Sequence, residues 1–306
     1  MKTILDTDPG VDDAMTFYYA HASAQTDLVA MTTIFGNVTV EDATQNALWL
    51  AESVQTQTPV YRGAQTPLKI TPNTPSAHVH GKHGFGDMID RTISTTAEAE
   101  SAAAFLAAEA ARKPGELTVC AIGPLTNIAL ALDIDPSFIA NLRQLVIMGG
   151  SLEAGGNVTP HAEANFWNDP HAANKVLTAP GTGTVIIVGL DVTTQISFFQ
   201  SDYDDMAEKS PKAGGFLKDI GEFYMRFYET VTGKYQGYLH DPAALIACEA
   251  PELFTMRDIR LQVITEGENI GEMVPHAFSE RVCKVCMDVD IPAVLNRYKT
   301  TMATLP

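Results

Sequence analysis

Short apolar runs alternate with helix-patterned stretches through the first two hundred residues, and that alternation leaves few architectures open. Strand-like runs cover 2–7, 27–35, 117–122, 142–148 and 184–190. Helical periodicity covers 11–24, 41–54, 99–113, 127–132 and 170–178. Such an order predicts an α/β fold, an open, mostly parallel, doubly wound sheet with helices on both faces. Residues 200–238 are strongly helical, with Phe216, Phe223, Tyr224, Phe227 and Tyr228 at spacings that suit a buried helix face. Strands return near 259–265 and 281–289, followed by a last helix. No repeat, low-complexity tract or linker is evident, which predicts one domain over 1–306.

Open α/β sheets bind ligands outside the carboxyl ends of their strands, so function is sought in the loops that follow strands. Asp6-Thr7-Asp8-Pro9-Gly10-Val11-Asp12-Asp13 packs four carboxylates into eight residues and reads as strand, turn and helix start. The helix dipole favours an anion in the first turn by roughly 0.3–1 kcal/mol. That gain is small beside the repulsion between crowded carboxylates, which must share a proton or recruit a cation. Any one aspartate would serve as an N-cap, but one cap needs one side chain. The surplus points to a hard cation such as Ca²⁺, which takes roughly six to eight oxygen ligands in irregular geometry.

Other loops after strands are polar and glycine-rich: Gly36-Asn37-Val38-Thr39, Ile122-Gly123-Pro124-Leu125-Thr126-Asn127, and the stretch from Gly149-Gly150 to Pro170. In the last of these Asn157, Glu163 and Asn165 suit sugar hydroxyls, each Asn offering a donor and an acceptor. The segment 66–96, which contains His78-Val79-His80-Gly81-Lys82-His83-Gly84-Phe85-Gly86-Asp87, is long enough to cover a site. His240-Asp241-Pro242 opens a helix; taken alone, Asp241 reads as an N-cap and His240 as a loop histidine. Cys283 and Cys286 fall on a strand and point to opposite faces, so that CxxC reads as packing.

With 37 acidic residues against 20 basic ones, the net charge of −17 argues against nucleic-acid phosphates and anionic membranes as partners. No apolar run approaches a membrane span and the start shows no signal-peptide pattern, so a cytoplasmic location is expected.

Asp6-Thr7-Asp8-Pro9-Gly10-Val11-Asp12-Asp13-Ala14 resembles the N-terminal signature of the nucleoside hydrolases, the calcium-dependent inosine-uridine preferring N-ribohydrolases. The 149–170 loop and the His240-Asp241-Pro242 helix start resemble two further signatures, so the likeness runs from Asp6 to about Asp290. The resemblance implies a Rossmann-like sheet and hydrolysis of ribonucleosides to ribose and free base. It also implies one Ca²⁺ per chain, held by Asp8, both oxygens of Asp13, the Ile122 main-chain carbonyl and Asp241. Asp12 and Asn37 would bind sugar hydroxyls, Asn157 and Glu163 the 5′-hydroxyl, and Asn165 the 2′ and 3′ hydroxyls. His80 would lie near the base, as would His240, and a homodimer or homotetramer is expected. Lys82-His83 and Ala164 depart from the usual pattern near the base, so purine or pyrimidine preference stays open.

N-glycosidic cleavage builds positive charge on the ribose, which an acidic cavity stabilises. Asp8 is the expected base for the attacking water, and His240, with an ordinary pKa near 6.5, the expected acid for the leaving base. Two alternatives use the same residues: a non-catalytic calcium-dependent nucleoside or sugar binder, and a phosphatase of the haloacid-dehalogenase type. Such phosphatases continue with Thr or Gly-Thr after the Asp pair, whereas here Pro9-Gly10-Val11-Asp12-Asp13 follows, and the His240-Asp241 cluster would go unused.

Overall fold

The computed structural model describes residues 1–86, 88 and 92–306; positions 87 and 89–91 of the expected cover lie outside the described residues. The strands are β1 (Lys2–Thr7), β2 (Asp27–Thr33), β3 (Val60–Arg62), β4 (Leu117–Ala121), β5 (Gln144–Met148) and β6 (Val185–Val188). After them come β7 (Ser197–Phe198), β8 (Gly237–Tyr238), β9 (Phe254–Ile259), β10 (Leu261–Val263), β11 (Met273–Pro275) and β12 (Cys283–Val289). Eight of these form the central sheet in the order β3-β2-β1-β4-β5-β6-β12-β9. Every pairing in it is parallel except that of the edge strand β9 with β12.

The strand order reverses direction between β1 and β4, and a doubly wound sheet opens its binding crevice at that point. The register fixes what lines it. Ile122 N–H donates to Asp6 O at 2.8 Å and Ile34 N–H to Thr7 O at 3.0 Å, so the ends of β1, β2 and β4 lie side by side. The three loops that follow them therefore converge.

Alternation along each strand feeds two apolar layers. Leu5, Cys120, Val146 and Ile186 face one layer with the helices Val11–Ala22, Val40–Ser53, Ala213–Thr232, His240–Glu249 and Ile291–Met302. Ile4, Val119, Leu145 and Ile187 face the other, with Ala102–Arg112, Thr126–Ile134 and Pro170–Thr178. Burying each such Leu, Ile or Val contributes roughly 1.5–3 kcal/mol. Cys286 joins the first layer and Cys283 the second, as a CxxC on a strand requires.

Of the strand expected at 259–265 only β10 forms, and the edge strand β9, Phe254–Ile259, which was not expected, ends where that range begins. The chain leaves the central sheet after Ile259 and pairs again as β10 with β11, and the Arg260 guanidinium at the break donates to Glu280 O at 3.0 Å. The helical stretch 200–238 likewise divides into Gln200–Lys209 and Ala213–Thr232 before ending in β8.

Candidate active site

Strand β1, the Pro-Gly turn and the helix Val11–Ala22 bring Asp8, Asp12 and Asp13 to the switch-point crevice, and the helix His240–Glu249 brings Asp241 to meet them. All four are buried. One carboxylate oxygen from each of Asp12, Asp13 and Asp241 lies within 4.8 Å of the other two. Asp8 stands beside this triad: its N–H donates to Asp13 Oδ1 at 3.2 Å and its Oδ2 accepts from Asn37 N at 2.5 Å. A Cβ at Gly36 would lie 2.1 Å from Asp8 Oδ2, and one at Gly123 would lie 2.6 Å from Asp8 Oδ1. Only glycine lets both loops close on this carboxylate.

Asp13 organises the turn. Its Oδ1 also accepts from Thr7 Oγ1 at 2.5 Å, and its Oδ2 from Gly10 N at 2.9 Å and Asn37 Nδ2 at 3.0 Å. The bond from Gly10 caps the helix, so the modest reading of an aspartate at a helix start applies to Asp13. Asp8 Oδ1 and Asp12 Oδ1 have no hydrogen-bond partner. Among the described residues no Lys or Arg forms an ion pair with any of the four. Burial, and after it mutual repulsion, drives Asp8, Asp12 and Asp241 far above the ordinary carboxylate range. Buried oxygens without protein partners, in an all-oxygen donor set, fit a hard divalent cation.

A cavity of about 790 Å³ opens over this cluster. Asp12, Asn37, His80, Ile122, Asn157, Glu163, Asn165, His240 and Asp241 line it, while Asp8 and Asp13 are not part of its wall. On the sugar-loop side, Glu163 is the N-cap of the short helix Ala164–Asn168. Its Oε1 accepts from Asn165 N at 2.9 Å and its Oε2 from Gly150 N at 2.8 Å and Phe166 N at 3.1 Å. Burial still lifts its pKa to about 7. Asn165 donates through Nδ2 to Ile122 O at 3.0 Å and Met148 O at 3.1 Å, which ties the ends of β4 and β5 together. Asn157 accepts from Ala164 N at 3.0 Å. Each Asn thus has half of its expected capacity committed to the fold: Asn165 keeps its carbonyl oxygen for a ligand and Asn157 its amide protons.

The opposite wall corrects two expectations. Of the helix aromatics read as core, Phe216 packs on Trp49 and Phe85 and Tyr224 is buried in the core, but Tyr224 also reaches the cavity, which Phe227 and Tyr228 line with it. Spacing of i, i+3 and i+4 marks one helix face without saying whether protein or ligand covers it. His240 does not keep an ordinary pKa: burial lowers it to about 4, so the ring is neutral at pH 7. Its Nδ1 lies 2.7 Å from Thr193 Oγ1 and its Nε2 2.9 Å from the Tyr228 hydroxyl. His80 is neutral too, lowered to about 3 by burial, and its Nδ1 accepts the Val11 N–H at 3.2 Å, which leaves its proton on Nε2. Tyr224 donates to Asp12 Oδ2 at 3.3 Å and so joins this wall to the carboxylates.

The family model described as "Inosine-uridine preferring nucleoside hydrolase" matches residues 3–296. The chain belongs to that family. It is 39% identical to uridine nucleosidase 1 of Arabidopsis thaliana over 271 residues, covering 88% of this chain and 80% of that one. It is also 39% identical to the non-specific ribonucleoside hydrolase RihC of Salmonella enteritidis PT4 over 273 residues, 88% of this chain and 85% of the relative. The solved purine-preferring ribonucleoside hydrolase from Gardnerella vaginalis superposes with a TM-score of 0.94 at 33% identity, over 99% of this chain and 98% of that one. The match removes the phosphatase alternative.

As a nucleoside hydrolase, this chain carries site residues that sequence reasoning missed: Tyr224 and Tyr228, with Thr193 behind them. The signal for Thr193 was its position just after β6, at the same edge of the sheet as the other loops. No helix among the described residues is long and apolar enough to cross a membrane.

Proposed function

We propose that this nucleoside hydrolase cleaves the N-glycosidic bond of ribonucleosides with one Ca²⁺ per chain, held by Asp8, Asp13, the Ile122 carbonyl and Asp241. The observation that carries the reading is the group of buried carboxylates at the β1/β4 switch point, two of them with oxygens left unpartnered and none balanced by a Lys or Arg among the described residues. The chemistry supplied by a bound hard cation there is Lewis acidity, which makes water easier to deprotonate.

The chain's own residues do the rest. Asp8 takes the proton from the attacking water. Asp12 and Asn37 hold sugar hydroxyls beside it, and Asn165 accepts from the 2′ or 3′ hydroxyl through the oxygen that the fold leaves uncommitted. Asn157 donates to the 5′-hydroxyl, with Glu163 beside it. As the C–N bond stretches, the ribose gains positive charge that the carboxylates stabilise across the cavity.

On the departing side a neutral His240 acts through its neighbours. With its proton on Nε2 it donates to the Tyr228 oxygen, accepts from Thr193 through Nδ1, and frees the Tyr228 hydroxyl proton for the leaving base. His80, with its proton on Nε2, offers a second donor to the base.

Incubation with inosine, uridine and cytidine tests the reading. Ribose release that stops on chelation and returns with Ca²⁺ supports it; tight binding of a nucleoside with no release favours the non-catalytic binder. The same panel assigns base preference. A cytoplasmic homodimer or homotetramer completes the proposal, tested by light scattering and cell fractionation.

A further inference from the structure

Strand β6 runs into Gly189-Leu190-Asp191-Val192-Thr193, with one helical turn over Leu190–Thr193. Thr193 serves His240, but Asp191 has no part in the chemistry above and is not part of the cavity wall. It is 8% exposed and pairs with no Lys or Arg among the described residues. Its carboxylate instead accepts three successive main-chain N–H groups: Leu152 at 2.7 Å through Oδ2, and Glu153 at 2.6 Å and Ala154 at 3.0 Å through Oδ1.

Those three residues lead directly into Gly155-Gly156-Asn157. On the near side the loop is anchored at Gly150, whose N–H donates to Glu163 and whose carbonyl accepts from Leu190 N at 3.0 Å. On the far side Gly156 N–H donates to Pro160 O at 3.1 Å. Between these anchors Glu153, Ala154 and Gly155 are exposed, and the other polar tie among the described residues is the surface ion pair of Glu153 with Arg257, a kind worth little. Charge-assisted bonds to a buried carboxylate are about twice as strong as neutral ones, so Asp191 is the strong anchor of this stretch. Gly189 permits the approach, since a Cβ there would lie 2.6 Å from Gly150 O.

We propose that Asp191 is a positioning residue for the 5′ side of the substrate: by clamping Leu152, Glu153 and Ala154 it sets where Asn157 meets the 5′-hydroxyl. This rests on the reading of Asn157 given above. Loss of the clamp weakens substrates that carry a 5′-hydroxyl and spares those that lack one, whereas a merely structural role weakens both alike.

The test compares kcat and KM for inosine and 5′-deoxyinosine in the full-length wild type, Asn157→Ala and Asp191→Asn, each with a thermal melt. Asn157→Ala is expected to raise KM for inosine about tenfold, the weight of one hydrogen bond, and to leave 5′-deoxyinosine within about twofold. Asp191→Asn turns one accepting oxygen into a donor facing main-chain N–H groups and is expected to show the same selective loss, which Asp191→Glu partly restores. If Asn157→Ala is selective while Asp191→Asn slows both substrates equally or neither, the inference on Asp191 is overturned and the reading of Asn157 stands. If Asn157→Ala is itself unselective, the 5′-hydroxyl assignment falls and the inference with it. Should Asp191→Asn fail to fold, Asp191→Glu carries the same comparison through a smaller selective loss for inosine.

Discussion

At one end of the cavity, Asp8, Asp12 and Asp13 arise from six consecutive residues and need only Asp241 from elsewhere; at the other, Thr193, Tyr228 and Tyr238 converge on His240 from separate elements. The first end is a local motif whose shape follows from a strand, a turn and a helix start, with Asp13 bonded to Thr7, Asp8, Gly10 and Asn37. The second is a tertiary assembly in which Tyr228 and His240 are held in place by hydrogen bonds and ring contacts. A charge-dense end is costly without a counter-ion, whereas an aromatic end is stable as it stands. The carboxylate end should therefore respond steeply to single substitutions, metal and pH, and the aromatic end in proportion to the chemistry of the leaving group.

The steepest response is expected at Asp8. Asp8→Ala should lower kcat by roughly 10³-fold or more, because it removes both the base and an oxygen of the cluster. Wild-type turnover in that variant would end the assignment.

Metal removal comes next, and its effect has a sign. The folded-state pKa values in and beside the cluster are raised first through burial, to about 6 for Asp6 and about 8 for Asp12, and Asp8 and Asp241 are likewise held well above the ordinary carboxylate range. A raised carboxylate contributes stability below its unfolded value near 4, and that contribution is lost as pH rises through the folded value. Chelated protein should therefore lose thermal stability progressively between about pH 5 and pH 8, and Ca²⁺ should restore more of it at the upper end. Melting curves with and without chelator that stay parallel across this window would contradict a cation site at the cluster.

At the aromatic end, Tyr228→Phe and His240→Ala should each slow inosine cleavage by about 10²-fold and scarcely affect a nitrophenyl riboside, whose leaving group needs no proton. Equal slowing of both substrates would remove the pair from that role. Since burial holds His240 near 4, the pH–rate profile for inosine should show no inflection of this histidine between about pH 6 and pH 7. The smallest effect belongs to Phe227→Ala, expected to raise KM a few-fold with kcat unchanged, as loss of one aromatic contact of about 0.5–1.5 kcal/mol does. A fall in kcat without a change in KM would mean that the ring does more than line the cavity.

Much of the framework was legible in the chain. The alternation of strand and helix patterns gave a mostly parallel sheet, and β1 fell on its expected bounds because Thr3-Ile4-Leu5 is closed by a Pro-Gly turn. The short strand β3 was not legible and β10 was legible only as part of a longer run, since three-residue strands carry too little periodicity, and the six-residue edge strand β9 was missed. At the site, carboxylate density announced the cluster, and glycines at 36 and 123 marked loops that must approach it closely. Glu163 and Asn165 were legible as polar residues in the right loop, but their main-chain partners were not, because those come from Gly150, Phe166, Ile122 and Met148.

Residue order alone was enough to say that a parallel sheet would carry crowded carboxylates at a strand's carboxyl end, because charge repulsion and turn chemistry act between neighbours in the chain. Folding decided what the order could not: that Tyr224, Phe227 and Tyr228 face a cavity, that His240 is neutral, and that Asp191 grips a loop nearly forty residues before it. Those outcomes depend on which surfaces are buried together, and burial is a property of packing between distant segments.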